Sequence, residues 1–135
     1  MEQVYSNNTY KRVYFKETDA GGVVYFGNMS RYIEIGFSEW FREFAIPLNE
    51  LYKENDLFMV VKRTEQLNFN SSLKYDDMLC IRTTLVKVKN FSMKLKTEIY
   101  VEDKLYYDAV TELVPVNHTT KRISRVPEAL NKYID

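Results

Sequence analysis

The sequence predicts an α+β domain in which one antiparallel five-stranded sheet wraps round one long helix. The pattern of apolar residues changes its period along the chain, and this change supports the prediction. Over 28–44, apolar residues recur at spacings of three and four and occupy more than one side of the predicted helix, which suits a helix enclosed by a sheet. From residue 58 onward they alternate with polar residues in four long segments, which is typical of half-buried antiparallel strands.

The first predicted elements are a strand, a helix and a short second helix. Residues 11–16 form the strand, with Val13 and Phe15 on one face. The long helix begins at Asn28, a residue type that suits the N-cap position. Pro47 ends that helix and opens a second one through residue 52, because proline is tolerated in a first helical turn.

The second half of the chain is predicted to be a meander of four long strands. The strands cover 58–69, 78–88, 91–101 and 105–116. Tight turns are predicted at Lys89-Asn90 and Glu102-Asp103, where polar residues interrupt the alternation. The basic tail after residue 117 reads as a loop, and 127–133 as a short terminal helix.

Length and composition indicate one ordinary globular domain, predicted to span 1–135. The chain has 135 residues, of which 45% are hydrophobic and 28% charged. Nineteen basic residues balance nineteen acidic ones, which argues against a nucleic-acid partner bound by bulk charge. No segment resembles a signal peptide or a membrane span, so we expect a cytoplasmic protein without membrane insertion.

The segment 18–28, with the sequence TDAGGVVYFGN, lies between the first strand and the long helix. Its one carboxylate, Asp19, precedes two glycines and the helix start. That order can place a carboxylate beside the free N–H groups of a helix N-terminus, where it could attack a carbonyl carbon while the N–H groups hold the oxyanion. The same residues also make a good turn, because glycine reaches positive φ and aspartate bonds its own backbone. The residues alone leave both interpretations open.

Several other kinds of site are excluded by the residues present. Cys80 is the only cysteine and His118 the only histidine, so neither an intrachain disulfide nor a cluster of cysteine or histidine metal ligands can form. The chain has no phosphate-binding glycine loop and no G-x-S-x-G nucleophile elbow. We therefore predict no metal and no cofactor, and Asp19 remains the candidate for catalysis.

Residues 13–26, with the sequence VYFKETDAGGVVYF, resemble the signature of hotdog-fold acyl-CoA thioesterases. The resemblance is greatest to the 4-hydroxybenzoyl-CoA thioesterase branch and its relatives associated with the Tol-Pal system, and the order of elements agrees with it along nearly the whole chain. It implies a hotdog fold and hydrolysis of an acyl-CoA thioester. It also implies that Asp19 is the catalytic carboxylate, as nucleophile or as general base on water.

The same resemblance assigns further roles around Asp19. The main-chain N–H of Phe26 would bind the thioester carbonyl at the helix N-terminus, and Gly21, Gly22 and Tyr25 would contact the substrate. Many relatives carry His at the position of Phe26, and the 4-hydroxybenzoyl enzymes can carry Tyr, so this chain departs from a mechanism with a side-chain acid there. The branch with a catalytic Glu on the helix lacks the Asp motif, which disfavours Glu34 as the catalytic group, and Glu39 likewise.

Basic residues in a hairpin and in the tail are candidates for binding the phosphates of coenzyme A. The resemblance implies this role for residues at the matching positions, which here are Lys87, Lys89, Lys121 and Arg122. The alternative is a solvated hairpin and tail, because such charges are common on surfaces. The resemblance also places Ser72 in a small polar segment that the partner subunit contributes to the site.

We expect a homodimer, assembled further into a dimer of dimers, because five strands leave an exposed sheet edge that a second copy can cover. The expected substrate is an acyl-CoA of unspecified acyl group. Two alternatives stay open: hydrolysis of an acyl carrier protein thioester, and a non-catalytic acyl-CoA-binding protein. The retained Asp19 argues against the second, since a pure binder needs no carboxylate at the thioester.

Overall fold

The computed structural model describes residues 4–134 and confirms the predicted α+β architecture. Two helices and five strands occur among those residues. In chain order they are β1, Ser6–Arg12; α1, Met29–Phe44; α2, Leu48–Asn55; β2, Leu57–Phe69; β3, Met78–Val88; β4, Met93–Val101; and β5, Lys104–Asn117. The predicted domain of 1–135 also includes residues 1–3 and 135, which lie outside the described part.

Three short 3-10 turns complete the secondary structure of residues 4–134. They cover Phe15–Glu17, Phe26–Asn28 and Glu128–Tyr133. The last turn occupies the predicted terminal helix, which is therefore 3-10 rather than α-helical. The second helix begins after Pro47, as predicted, and runs three residues beyond the predicted end at residue 52.

Helix α1 buries one broad face against the inner side of the sheet. The buried residues of that face have the predicted spacing of three and four: Met29, Tyr32, Ile33, Gly36, Phe37, Trp40 and Phe41. Every second residue of β4, from Met93 to Val101, is buried opposite them. Burying each large apolar side chain in this way contributes roughly 1.5–3 kcal/mol, so the helix is held mainly by packing.

The strands lie in the order β1-β3-β4-β5-β2, and all neighbours are antiparallel. The predicted meander is therefore confirmed for β3, β4 and β5 and wrong for β2, which pairs with β5 at the far edge. The reason lies in the connection between β2 and β3. The carbonyl oxygen of Leu73 in that connection accepts a hydrogen bond from the N–H of Val24 at 2.7 Å. The connection therefore packs on residues 18–25, the Asp19 loop, instead of forming a hairpin.

The first strand lies earlier in the chain than the predicted range of 11–16. Polar residues of β1 pair with β3 from Ser6↔Thr84 to Arg12↔Met78. Val13 is buried just beyond the strand, whereas Phe15 is 74% exposed, so these two side chains do not share one face. Strand pairing with a long neighbour outweighed the low intrinsic strand preference of this polar segment.

The two predicted hairpin turns have different outcomes. Glu102 and Asp103 have positive φ angles of 48° and 65°, which is the geometry of a two-residue primed turn. At the other hairpin, the N–H of Lys89 donates to the carbonyl oxygen of Ser92 at 2.8 Å. That turn is wider than predicted, and β4 accordingly begins at residue 93 rather than 91.

Gly36 marks the closest approach of α1 to the sheet. A Cβ atom at this position would overlap Thr83 Oγ1 and lie 2.9 Å from Ile81 Cγ2. Both neighbours are buried and β-branched, so neither side chain turns away easily. We expect Gly36→Ala to lower the free energy of unfolding by about 1–3 kcal/mol, the usual cost of overpacking, despite alanine's better helix propensity.

Denaturant unfolding of four proteins checks this expectation: wild type, Gly36→Ala, Thr83→Ala and the double variant. Because Thr83→Ala removes the overlapping oxygen, the double variant should be more stable than the sum of the two single losses predicts. Additive losses, or a Gly36→Ala protein as stable as the wild type, would contradict close packing at this point.

Candidate functional site

Asp19 lies in an exposed turn whose main-chain N–H groups surround its carboxylate. Asp19 Oδ1 accepts hydrogen bonds from the N–H of Gly21 at 2.8 Å and from that of Val23 at 3.4 Å. The N–H of Asp19 in turn donates to the carbonyl oxygen of Val23 at 2.8 Å. Among residues 4–134, no hydrogen bond reaches Asp19 Oδ2. The loop thus holds one carboxylate oxygen and leaves the other available.

The two glycines after Asp19 have separate structural reasons. Gly22 has a φ of 80°, a conformation that side-chain-bearing residues rarely adopt. A Cβ atom on Gly21 would lie 3.3 Å from Asp19 Oδ1, so a side chain there would crowd the carboxylate. The turn interpretation of this segment is therefore confirmed, and the catalytic role of Asp19 stays a prediction. The turn chemistry is what presents the carboxylate.

The 3-10 turn Phe26–Asn28 leads directly into α1. Its first hydrogen bond runs from the N–H of Asn28 to the carbonyl oxygen of Tyr25, at 2.8 Å. The N–H groups of Phe26 and Gly27 therefore have no acceptor inside the turn, which makes them candidate donors for an anion. Asn28 precedes α1 as predicted, but its side chain does not cap the helix. Asn28 Nδ2 instead donates to the carbonyl oxygen of Glu17 at 2.8 Å.

Aromatic side chains frame the same turn. The Phe26 ring is exposed and stacks on Phe69 with 6.1 Å between the ring centroids, and Phe69 meets Tyr107 edge-on at 5.8 Å. The Tyr25 ring lies over Gly27, where a Cβ atom would come within 2.6 Å of it. The predicted substrate contact Tyr25 and the predicted donor Phe26 thus stand together at the start of α1.

Sequence reasoning missed Glu17, whose side chain is only 3% exposed. Its carboxylate accepts hydrogen bonds from Lys11 Nζ at 2.8 Å, from the Tyr32 hydroxyl at 2.7 Å and from the N–H of Tyr14 at 3.2 Å. Burial raises the pKa of Glu17, but the bonds from Lys11, Tyr32 and Tyr14 outweigh it and hold the pKa below its ordinary value. Burial and the bond to Glu17 raise the pKa of Tyr32. One signal was available in the sequence: a Glu three residues after Tyr14, the spacing at which a side chain bonds the backbone at the start of a turn.

A cavity of about 540 Å³ opens between α1, α2 and β2. Most of its lining is apolar: Phe37, Leu48, Tyr52, Phe58, Met59 and Val61. Glu34 is exposed and lies on α1 at this cavity, outside the loop that carries Asp19. Glu39 is bound to Arg42 at 3.1 Å on the helix surface. Neither helix carboxylate is held in the way that Asp19 is.

Comparison with known families decides what kind of protein carries this arrangement. Residues 13–134 match the family described as the thioesterase-like superfamily. The chain belongs to the thioesterase-like superfamily. This finding confirms the resemblance that residues 13–26 predicted, and it confirms the predicted enzyme class, a thioester hydrolase.

Individual proteins similar to this chain are also thioesterases by name. It is 36% identical over 78 residues to the acyl-CoA thioesterase YbgC of Haemophilus influenzae, covering 58% of this chain and 57% of that protein. It is 28% identical to the acyl-CoA thioester hydrolase YbgC of Escherichia coli O6:H1, covering 88% of each. Among solved structures, a probable thioesterase from Bartonella henselae has a TM-score of 0.84 at 26% identity, covering 90% of this chain and 99% of that one. A 4-hydroxybenzoyl-CoA thioesterase variant with bound 4-hydroxybenzoyl-CoA shares the fold, with a TM-score of 0.84 at 17% identity, covering 97% and 99%.

The basic residues predicted to bind phosphates lie at the opposite end of the sheet from Asp19. The Asp19 loop contacts the start of β3, where the N–H of Tyr75 donates to the carbonyl oxygen of Gly22 at 3.2 Å. Lys87 stands near the far end of β3, nine residues beyond Met78 and so roughly 30 Å along the strand. Lys89 and the pair Lys121-Arg122, in the turns that follow β3 and β5, are exposed at that same far end.

Ser72 lies at the same end of the sheet as Asp19. It is exposed and precedes Leu73, which bonds Val24 in the same chain. Its assignment to the partner's site stays a prediction. Residues 4–134 contain no cluster of three potential metal ligands. No helix in that range has the length and hydropathy to cross a bilayer.

The single histidine, His118, and the single cysteine, Cys80, are both at least partly exposed. His118 lies edge-on to the stacked rings of Tyr52 and Phe58, with Nδ1 3.7 Å from Asp56 Oδ1. This cluster closes the junction between α2, β2 and β5, which is a structural role. Cys80 is half-buried, because its strand position points it to the outer face of the sheet beside Tyr100.

Proposed function

We propose that this protein hydrolyses acyl-CoA thioesters with Asp19 as its catalytic carboxylate and the Phe26 N–H as oxyanion donor. One observation carries the proposal: a carboxylate held through one oxygen by loop N–H groups, in a chain whose family and relatives are thioesterases. The relatives named acyl-CoA thioesterases supply the substrate class. Release of free thiol from a panel of acyl-CoAs tests it, and no release from any member of the panel would refute it.

Two routes balance the chemistry at the thioester. In the first, Asp19 Oδ2 adds to the carbonyl carbon, the C–S bond breaks, the coenzyme A thiolate leaves, and water hydrolyses the resulting acyl-aspartyl anhydride. In the second, Asp19 takes a proton from a water molecule, whose oxygen adds to the carbonyl carbon before the same C–S bond breaks. In both routes, negative charge develops on the carbonyl oxygen, where the free N–H of Phe26 would stabilise it.

We propose further that two copies complete the site by joining along β2. This strand lies at the sheet edge, is thirteen residues long and carries exposed apolar side chains: Phe58, Val60, Val61, Leu67 and Phe69. A long apolar edge strand favours pairing with another chain. A twofold axis pairs the two copies of β2 antiparallel, so the far end of one subunit comes to the Asp19 end of the other. The dimer of dimers and the cytoplasmic location stay predictions.

In such a dimer, the basic residues at the far end of one subunit, Lys87, Lys89, Lys121 and Arg122, can bind the phosphates of a substrate whose thioester lies at Asp19 of the partner. Changing Lys87 and Lys121 together to Ala should raise KM for acyl-CoA several-fold and leave kcat nearly intact. The lost contact would be to phosphates remote from the reacting carbon, and therefore equal in ground state and transition state. Steady-state kinetics of wild type and double variant at low and at high salt measure this, since salt weakens contacts between exposed charges.

Two controls sharpen that measurement. Lys53 and Lys132 are exposed near the same far end of the sheet but are not among the predicted phosphate contacts, so changing both to Ala should leave KM unchanged. A short acyl-pantetheine, which has no nucleotide, should be hydrolysed equally by all three proteins. Equal loss on both substrates would make Lys87 and Lys121 structural. No loss on either would place the nucleotide elsewhere and favour an acyl carrier protein substrate.

A further inference from the structure

The buried carboxylate of Glu17 connects three separate parts of the chain. It binds Lys11 in β1, the N–H of Tyr14 in the following segment, and the hydroxyl of Tyr32 in α1. Tyr32 is fully buried, and Lys11 also donates to the carbonyl oxygen of Arg12 at 2.6 Å. Three donors satisfy the charge, which is the condition for a stable buried carboxylate.

The main chain of Glu17 extends this connection to both parts of the candidate site. Its carbonyl oxygen accepts the N–H of Tyr25 at 3.1 Å and Asn28 Nδ2 at 2.8 Å. Asp19 follows Glu17 by two residues, and Phe26 follows Tyr25 directly. The residue therefore ties the segment that carries the carboxylate to the segment that carries the free N–H group.

We propose that Glu17 is a positioning residue, which sets the placement of the Asp19 carboxylate relative to the Phe26 N–H by clamping residues 14–28 onto α1. This inference rests on the proposed function. Glu17 is buried and does not touch the substrate; it acts through the loop it holds. An error of about 1 Å between reacting groups can lower the rate a hundredfold, so a residue that fixes their separation can contribute to catalysis even though burying its charge is unfavourable.

Two variants loosen the clamp in different ways. Glu17→Gln keeps the shape of the side chain but removes the charge that pairs with Lys11. Tyr32→Phe removes a single hydroxyl and leaves the bonds from Lys11 and Tyr14 intact, so it tests the clamp even where the first variant folds poorly. The matched control is Tyr100→Phe, which deletes a comparable bond of 2.9 Å from a tyrosine hydroxyl to Glu98 on the outer face of the sheet.

Steady-state kinetics of the full-length protein are the first readout. We expect Glu17→Gln and Tyr32→Phe to lower kcat about ten- to a hundredfold with KM within about twofold, whereas Tyr100→Phe leaves both unchanged. Adding Glu17→Gln to Asp19→Asn should lower the residual rate no further, because the clamp acts through Asp19. Wild-type kcat in both clamp variants, or an equal further loss on top of Asp19→Asn, would overturn the proposal.

Hydrogen exchange of main-chain amides is a second readout that needs no catalysis. Exchange should accelerate over residues 18–28 in both clamp variants and stay at the wild-type rate over β4. Acceleration throughout the sheet would mean general destabilisation, and unchanged exchange over 18–28 would mean that no clamp exists; either result rejects the proposal. If the wild type hydrolyses no acyl-CoA, the proposed function fails, and the exchange result still decides whether Glu17 holds the loop.

Discussion

Asp19→Asn is expected to lower acyl-CoA hydrolysis by at least about two orders of magnitude while the protein stays folded. A loss of this size is typical when a positioned acid, base or nucleophile is removed. The fold should survive because the asparagine side-chain oxygen can still accept the bonds that Asp19 Oδ1 takes from Gly21 and Val23. Thiol release under saturating acyl-CoA, together with circular dichroism and light scattering, measures both parts of the expectation.

The control for this variant is Asp103→Asn. Asp103 is also an exposed turn aspartate, and it has a φ of 65° that asparagine accepts well. It should retain wild-type turnover. Wild-type turnover in a folded Asp19→Asn protein would instead sink the catalytic assignment of Asp19, whereas the alternative of a non-catalytic acyl-CoA-binding protein requires that the wild type itself hydrolyses no acyl-CoA.

Charged substitutions on the edge strand β2 should abolish both the oligomer and the activity. Val61 and Leu67 are 46% and 44% exposed, and replacing both with Lys places like charges on the surface where two copies would meet. We expect light scattering at micromolar concentration to give a monomer mass. We expect hydrolysis to fall by about a hundredfold, because a monomer loses both the positioning of the substrate between two subunits and the basic residues that the partner contributes.

Val86→Lys provides the comparison for this double variant. Val86 is a similarly exposed apolar residue, but it lies on β3 in the interior of the sheet order rather than at an edge. The variant should keep the oligomer and the activity. A wild type that is a monodisperse and fully active monomer would reject the dimer proposal altogether.

The periodic elements could be predicted because their signal is local. α1 and β4 each bury one face, and in both the spacing of apolar residues along the chain equals the geometric repeat of the element. The Asp19 turn could also be predicted, since glycine reaches the positive φ that turns require and aspartate bonds its own backbone. The sequence therefore identified the candidate carboxylate and the helix start beside it.

Errors arose where long-range pairing decides the outcome. β1 is polar and has little strand preference of its own, and it exists because β3 offers it seven paired residues. The position of β2 beside β5 depends on how the connection before β3 packs against the Asp19 loop. The residues of neither strand contain a periodic pattern that identifies the strand with which it pairs.

The sequence by itself determined the class of fold, the long apolar helix and Asp19 as the candidate carboxylate. Only the tertiary structure decided which polar groups lie inside. Apart from its spacing from Tyr14, Glu17 resembles a surface glutamate in the sequence, and it is buried because Lys11, Tyr14 and Tyr32 converge on it from three parts of the chain. The separation of Asp19 from the basic turns was likewise invisible, because the distance between two chain segments depends on strand order and direction, and local side-chain preferences carry no record of either.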